Sequence, residues 1–293
     1  MNMKKPRVSI VLPVYNGERF LDQAINSVMN QTFTEWELII VNDCSTDNSA
    51  SIMRKYADKD SRIIIVDNEA NMKLPRSLNI GFGIARGEYY TWTSDDNLLK
   101  PNMLMTLVRE LDDNPEYGMV YSDHDEITED GEFINTRFLK EPCYMGIEGN
   151  VCGASFLYRS TVAHSVGDYD PALFLAEDYD YWMRVYAVTD IKHITDVLYS
   201  TRWHEKSLTA TRTNDISRQT LKAVIKNVFI LLEKAEGSKG RYDLCKTIYN
   251  YAVSAYGRPA VKRFGYQVNG YFLKIWSVDL VERIAGRIRS GKD

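Results

Sequence analysis

Long apolar runs, paired cysteines and a surplus of one charge are all missing from this 293-residue sequence, and each absence removes a class of protein. No stretch approaches the roughly 18–20 consecutive apolar residues of a membrane span. The basic start, Met1 to Arg7, leads into an apolar segment from Val8 to Leu12 that stops at Pro13. That is too short for the apolar region of a signal peptide, so a cytoplasmic location is expected. The four cysteines, Cys44, Cys143, Cys152 and Cys245, form no C-x-x-C pair and match no zinc spacing, which leaves them as reduced thiols. A net charge of −4 gives the chain as a whole no basic field for nucleic acid. G-x-G-x-x-G and G-x-x-x-x-G-K-[ST] are both lacking, so the ordinary dinucleotide and P-loop readings lose their main support. No internal repeat or low-complexity segment is found.

What is present is the balance of an ordinary globular chain, 44% hydrophobic and 26% charged, with length for one large α/β domain or two smaller ones. The first third alternates short β-branched runs with helical patterns, the signature of βαβ units and a mainly parallel sheet. Strands are expected at Val8–Leu12, Glu37–Val41 and Arg62–Val66, each apolar nearly throughout, as befits strands covered on both faces. Phe20, Leu21, Ala24, Ile25 and Val28 recur at helical spacing behind an Asn16-Gly17 turn. A fourth strand, Tyr89–Thr93, runs into Asp95-Asp96, and a helix is expected from Pro101. Further on we expect a strand at Met119–Ser122, a hairpin turning at Glu129-Asp130-Gly131, and a helix over Glu177–Val188. From Asn214 one helical stripe, Ile216, Leu221, Val224, Ile225, Val228, Leu231 and Leu232, is expected to end near Gly237.

In open α/β sheets ligands bind beyond the carboxyl ends of the strands, so the residues just after each strand carry the functional question. They are polar and acidic: Tyr15-Asn-Gly-Glu18, Asn42-Asp-Cys-Ser-Thr-Asp47 and Ser94-Asp-Asp-Asn97. Adjacent carboxylates at such a place suit a hard divalent cation shared with substrate phosphates. A solvated turn or a helix cap is the alternative for the Asp-Asp pair.

Taken together, Val8-Ser-Ile-Val-Leu-Pro-Val-Tyr-Asn-Gly-Glu18, Gln31-Thr-Phe33, Trp36-Glu-Leu-Ile-Ile-Val-Asn-Asp43 and Ser45-Thr-Asp-Asn-Ser49 resemble the opening of the inverting family 2 glycosyltransferases with the GT-A fold. Ala85-Arg-Gly-Glu-Tyr89 leading into Ser94-Asp-Asp96 is similar to that family's metal motif. Gly167-Asp-Tyr169 with Glu177-Asp-Tyr179 is similar to its acceptor-side half. The resemblance covers roughly residues 7 to 210. It implies a catalytic domain over 1–212, with a donor half of about 1–122 and an acceptor half of about 123–212, followed by a helical extension over 213–293.

The resemblance further implies that Pro13, Tyr15 and Glu18 surround the donor nucleoside, that Asp43 holds the base edge with Arg76 nearby, and that Asp95 contacts the ribose. Asp96 would ligate a divalent metal, Mn²⁺ or Mg²⁺, on the donor diphosphate, with His204 as a further ligand. Asp178 would be the general base that deprotonates the acceptor hydroxyl. Capping of a helix is the alternative role of Glu177 and Asp178. Two departures stand out. Ser94 occupies the first position of a motif that is often Asp-x-Asp, and Cys44 stands where glycine is common.

The expected partners are a nucleotide-sugar donor, UDP favoured with GDP and dTDP open, and a saccharide or lipid-linked acceptor in bacterial surface-polysaccharide assembly. Transfer to a polyprenyl phosphate and a non-catalytic scaffold that binds nucleotide-sugar are the alternatives. The stretch from Tyr256 to Asp293 carries eight basic residues, Arg258, Lys262, Arg263, Lys274, Arg283, Arg287, Arg289 and Lys292, against Asp279, Glu282 and Asp293. It reads either as an amphipathic surface for anionic membrane or as a helix packed on the catalytic domain. A homodimer interface is another place for the apolar stripes of the last 80 or so residues to bury.

Overall fold

The computed structural model describes residues 5–145 and 149–234. In chain order the main elements are β1 (Val8–Val14), α1 (Leu21–Met29), β2 (Trp36–Asn42), α2 (Ser49–Ala57), β3 (Ile63–Asp67), α3 (Leu74–Gly83), β4 (Tyr89–Trp92), β5 (Leu98–Leu99), α4 (Met103–Asp113) and β6 (Tyr117–Ile127). They continue with β7 (Phe133–Arg137), β8 (Phe156–Arg159), α5 (Ser160–Val166), α6 (Glu177–Val188), β9 (Asp190–Arg202), α7 (Leu208–Thr211), α8 (Thr213–Lys226) and α9 (Val228–Lys234).

The strands join one sheet in the order β3-β2-β1-β4-β8-β6-β9-β5, with β7 added to β6. β1 pairs in parallel with β2 and β4, and β2 in parallel with β3. β8 runs antiparallel to both β4 and β6, so β6 resumes the direction of β4, and β9 lies parallel to β6. The carboxyl ends of β1, β2, β3, β4, β6 and β9 therefore open on one edge. The β1-α1-β2-α2-β3 opening matches the expected βαβ pattern, and the Glu129–Gly131 turn closes the β6–β7 hairpin, with Gly131 at φ +91°. Its geometry suits glycine, which has no Cβ to clash there.

Alternation along each strand divides the interior in two, because successive side chains point to opposite faces. Val8, Ile10 and Leu12 of β1 join Leu38 and Ile40 of β2 beneath α1, α2 and α4. Val11, Ile39 and Val41 face the other way, toward α3 and a layer formed by α6, α8 and α9. This second core is rich in aromatic rings: Tyr169 stacks on Tyr181 with centroids 3.9 Å apart, and Trp182 meets Phe156 at 4.5 Å.

The stripe expected over Ile216–Leu232 is divided into α8 and α9 at Asn227. Buried Asn227 donates to Ala223 O at 2.9 Å and to Asp180 Oδ1 at 2.8 Å. That second bond ties the break to α6. Leu221, Val224, Val228 and Leu231 share a core with α6, so the first part of the expected extension is packed into the same body. The expected end near Gly237 and the basic stretch from Tyr256 lie outside the described residues. No helix among the described residues is long and apolar enough to cross a membrane.

Candidate active site

β1 is the strand on either side of which the chain order turns, and β4 leaves it early. Their register ends at Val11 opposite Trp92, followed by a last bond from Thr93 N to Val11 O at 3.0 Å. Pro13 comes two residues later and has no N–H to continue a ladder on that side. The crevice between the ends of β1 and β4 is the place where sheets of this kind receive ligands.

Two loops form one wall of this crevice and are laced to each other. Asn16 Oδ1 accepts from Thr46 N at 2.8 Å, and Gly17 N donates to Ser49 Oγ at 3.0 Å. Glu18 Oε2 accepts from Asn48 N at 2.9 Å and Asn48 Nδ2 at 2.7 Å, while Glu18 N donates to Asp47 Oδ2 at 3.0 Å. Two of the turning residues, Asn16 and Cys44, hold φ of 54° and 62°. Cys44 thus adopts a conformation that glycine takes more readily, and its thiol faces Glu69 O at 3.7 Å.

The residues expected around the nucleoside are distributed along this wall. Tyr15 is half exposed and Pro13 partly so. Asp43 is buried, and its carboxylate accepts from Asn68 Nδ2 at 2.8 Å, Met72 N at 2.7 Å and Lys73 N at 2.9 Å. It thereby anchors the loop after β3 and holds Lys73 at φ +70°. Arg76 is exposed on the first turn of α3, just past that loop.

The acidic pair follows β4. A Cβ placed on Gly17 would collide with the Asp95 carboxylate, so glycine is required there for Asp95 to lie against the β1 loop. Burial, then the neighbouring Asp96 and Asp47 charges, push the Asp95 carboxyl up to about 7. Asp96 Oδ2 meets His204 Nε2 at 3.0 Å, and Asp96 Oδ1 is buried with no hydrogen-bond partner. His204 also packs its ring against Phe20, centroids 5.2 Å apart.

Buried Arg202 fixes the arrangement from β9. Its Nε donates to Asp96 O at 2.9 Å, Nη1 to Glu129 O at 2.6 Å, Nη2 to Gln23 Oε1 at 2.8 Å, and its backbone N to Asn97 Oδ1 at 2.8 Å. One guanidinium thus joins the β4 loop, the β6–β7 hairpin and α1. The sequence does not single out Arg202. Its place two residues before His204, at the end of the strand that leads to both, was the available signal.

Across the edge, α6 begins with Glu177 and Asp178. Asp178 Oδ2 accepts from Asn150 Nδ2 at 2.9 Å and Oδ1 from Tyr179 N at 2.7 Å. The helix end favours the ionised form, as does Asn150, yet burial outweighs both and raises the Asp178 carboxyl above its ordinary range. Glu177 is buried, accepts from Leu175 N at 2.6 Å, and is pushed up to about 8 by burial and by the Asp178 charge. Asn150 was not singled out in the sequence. It belongs to the loop that enters β8 from the ligand edge, a position visible only once β8 is known to run antiparallel.

Asp96 and His204 are thus brought together, and both are joined through Arg202 and Phe20 to the β1 loop. Asp43 and Arg76 lie on the wall beyond β2, and Asp178 stands apart on the opposite side. Among the described residues no three His, Cys, Asp or Glu side chains gather around a single point. Asp96 and His204 with an unpartnered buried oxygen do fit a cation that takes its remaining ligands from substrate phosphates and water.

Comparisons with known proteins place the chain in a family and a fold. The sequence model described as Glycosyl transferase family 2 matches residues 9–167. An uncharacterised glycosyltransferase of Rickettsia typhi is 30% identical over 226 residues, covering 73% of this chain and 70% of that protein. The uncharacterised protein y4gI of Sinorhizobium fredii is 34% identical over 205 residues, 67% of this chain but only 22% of its own length. The chain spans about a third of two other first-ranking curated relatives, from Rickettsia felis and Rickettsia conorii. Among solved structures, the mannosyltransferase PcManGT from Pyrobaculum calidifontis, in complex with GDP-Man and Mn²⁺, superposes with a TM-score of 0.63 at 16% identity, covering 99% of this chain and 89% of that one. S. aureus TarS 1-349 in complex with UDP gives 0.60 at 17% identity, covering 85% and 81%. The fold is that of the GT-A glycosyltransferases, and the chain belongs to glycosyl transferase family 2.

Proposed function

We propose that the protein transfers a sugar from a nucleotide-sugar donor to an acceptor hydroxyl with inversion at the anomeric carbon, assisted by a divalent metal. The observation that carries this reading is the buried, unpartnered Asp96 Oδ1 beside His204 Nε2. A buried carboxylate oxygen left without a donor is costly, and a cation relieves that cost. Asp96 and His204 would hold the metal, and the imidazole nitrogen favours Mn²⁺ over Mg²⁺, which prefers oxygen ligands throughout. Bound there, the metal would neutralise charge on the departing nucleoside diphosphate.

The chain's own groups divide the remaining work. Tyr15, Pro13 and the loop anchored by Asp43 would form the nucleoside wall, with Glu18 keeping that wall in shape through Asn48. Arg76 would approach from α3, and Asp95 would meet the ribose. Asp178 would take the proton of the attacking hydroxyl, oriented by Asn150. In-line attack opposite the leaving group inverts the centre. The relatives' glycosyltransferase names and the GDP-Man and UDP complexes of the structural neighbours support a nucleotide-sugar donor. A saccharide or lipid-linked saccharide in surface-polysaccharide assembly is the acceptor class proposed, with catalysis placed over residues 1–212.

The test is binding and slow hydrolysis of UDP-, GDP- and dTDP-sugars with Mn²⁺, with and without chelator, on the wild type and Asp96→Ala. Metal-dependent binding of one donor, lost in the variant, supports the reading. Binding that ignores the chelator overturns the metal assignment, and binding of no donor overturns the reading itself.

A further inference from the structure

We infer that Arg19 is a diphosphate-binding residue, held on Glu129 while the donor is absent and transferred to the donor's phosphates when it arrives. The inference rests on the nucleotide-sugar reading and extends it to a residue the sequence did not single out.

A nucleoside diphosphate brings at least two negative charges to an edge that already carries Asp47, Asp95 and Asp96. One metal ion shared with Asp96 leaves negative charge uncompensated, so a cationic side chain near the site is required electrostatically. Two guanidinium groups lie at the Phe20 ring, Arg202 at 4.6 Å and Arg19 at 4.9 Å from its centroid, and the same ring contacts His204. Arg202 is buried and engaged with Asp96 O, Glu129 O, Thr128 O and Gln23. It has no fork to offer a ligand. Arg19 is 57% exposed, and Glu129 is its ion-pair partner.

The pair is built for exchange. Glu129 sits in the β6–β7 turn whose main chain Arg202 grips, so its main chain has a fixed place. Arg19 follows Gly17 and Glu18, whose loop is laced to residues 46–49, so its main chain is also fixed. Only the long Arg19 side chain has to turn. A solvent-accessible guanidinium–carboxylate ion pair contributes little, about 0–1 kcal/mol. The planar guanidinium is matched in two places to a phosphate, and that charge-assisted contact is the stronger one. Giving up Glu129 for the diphosphate is therefore favourable.

Calorimetric titration of the full chain with UDP, GDP and dTDP in Mn²⁺, together with nucleoside binding by saturation-transfer NMR, tests this. For the diphosphate that the wild type binds, Arg19→Ala is expected to weaken binding about tenfold or more while leaving the matching nucleoside unchanged. Arg19→Lys should recover part of the loss. Glu129→Gln should tighten diphosphate binding a few-fold in the wild-type background and much less in the Arg19→Ala background. Equal loss for nucleoside and diphosphate, no loss in Arg19→Ala, or the same gain from Glu129→Gln in both backgrounds overturns the inference and leaves the donor reading standing. If the wild type binds none of the three diphosphates, the donor reading falls and this inference with it. Thermal melts of each variant check folding, and an exposed Arg19 predicts little change in Tm.

Discussion

The two sides of the ligand edge differ in how their polar groups are used. On the donor wall almost every one has a protein partner: Glu18 holds Asn48, Asn16 holds Thr46, and Asp43 holds three donors of the loop after β3. Around Asp96, and at the head of α6, the carboxylates are buried without full compensation. Asp96 Oδ1 has no partner, and Glu177 and Asp178 are raised by burial. The satisfied wall gives a shape, and the unsatisfied groups give reactivity, because perturbed ionisation clusters where chemistry is done. Substitutions on the wall should therefore act through structure and affinity, that at Asp96 through both metal-dependent donor binding and rate, and those at the head of α6 through rate.

The largest expected break is Asp96→Ala, for which sugar transfer should fall by about three orders of magnitude or more with the fold intact, measured as steady-state rate beside circular dichroism. Asp178→Asn should follow, with kcat about 10²–10⁴-fold lower and donor binding unchanged. If the rate barely moves, the acceptor atom needs no base, as for a phosphate oxygen, and the two sides are less different than argued. Gly17→Ala should come next, since its Cβ forces Asp95 out of place. Roughly tenfold or greater loss of donor affinity is expected by calorimetry, with a modest drop in Tm.

On the wall, Asp43→Ala should cost about 1–3 kcal/mol in denaturant-derived stability, because Met72 N, Lys73 N and Asn68 lose their acceptor. Donor affinity should fall with it, and kcat measured at saturating donor should change little.

The smallest effect is on pH dependence. Activity should rise with pH as Asp178 loses the proton that burial favours, since a base must be ionised to act. Burial raises Asp178, whereas the Asp178 charge helps to raise Glu177, so Glu177→Gln should leave the acid limb of kcat close to its wild-type position. The linkage has the matching sign: with both carboxyls raised on folding, the native state holds protons that the unfolded chain has released, so this pair's contribution to stability declines as pH rises, for Glu177 from its ordinary pKa to about 8.

The donor side was legible in the sequence because its strands are continuous β-branched runs and each polar turn directly follows one. β1, β2, β3 and β4 appear within two residues of the expected limits. The acceptor side was harder. β8 and β9 were not foreseen: β8 is only four residues long, Phe156–Arg159, and β9 mixes charge with apolar groups, including Asp190, Lys192, His193 and Asp196. Two of these pair with other elements, Lys192 with Glu110 and His193 with Asp123, so their polarity is tertiary in origin and carries no strand signal. α2 and α3 were likewise passed over; α3 contains Pro75 and two glycines, which weaken a helical pattern.

For the site, Asp96 and His204 do meet, 108 residues apart in sequence. The side chains that orient the expected groups, Arg202, Asn150 and Gln23, could not be read, because their value lies in partners on other strands. Asp43 was expected to face the base, and its use in holding Lys73 and Met72 required coordinates.

The contact between α6 and the α8–α9 junction sets an order in time. Asp180, two residues beyond Asp178 and fully buried, is held by Arg184 at 2.9 Å, Lys226 at 3.0 Å and Asn227 at 2.8 Å. During synthesis the helix of the proposed base is made well before Lys226 and Asn227 exist. At about 5–20 residues per second, the ribosome leaves Asp180 without those partners for roughly 2–9 s. The donor half can settle in that interval, while α6 must wait for a later segment, so a nascent chain halted before Lys226 should already carry the β1–β4 crevice but lack a finished acceptor side.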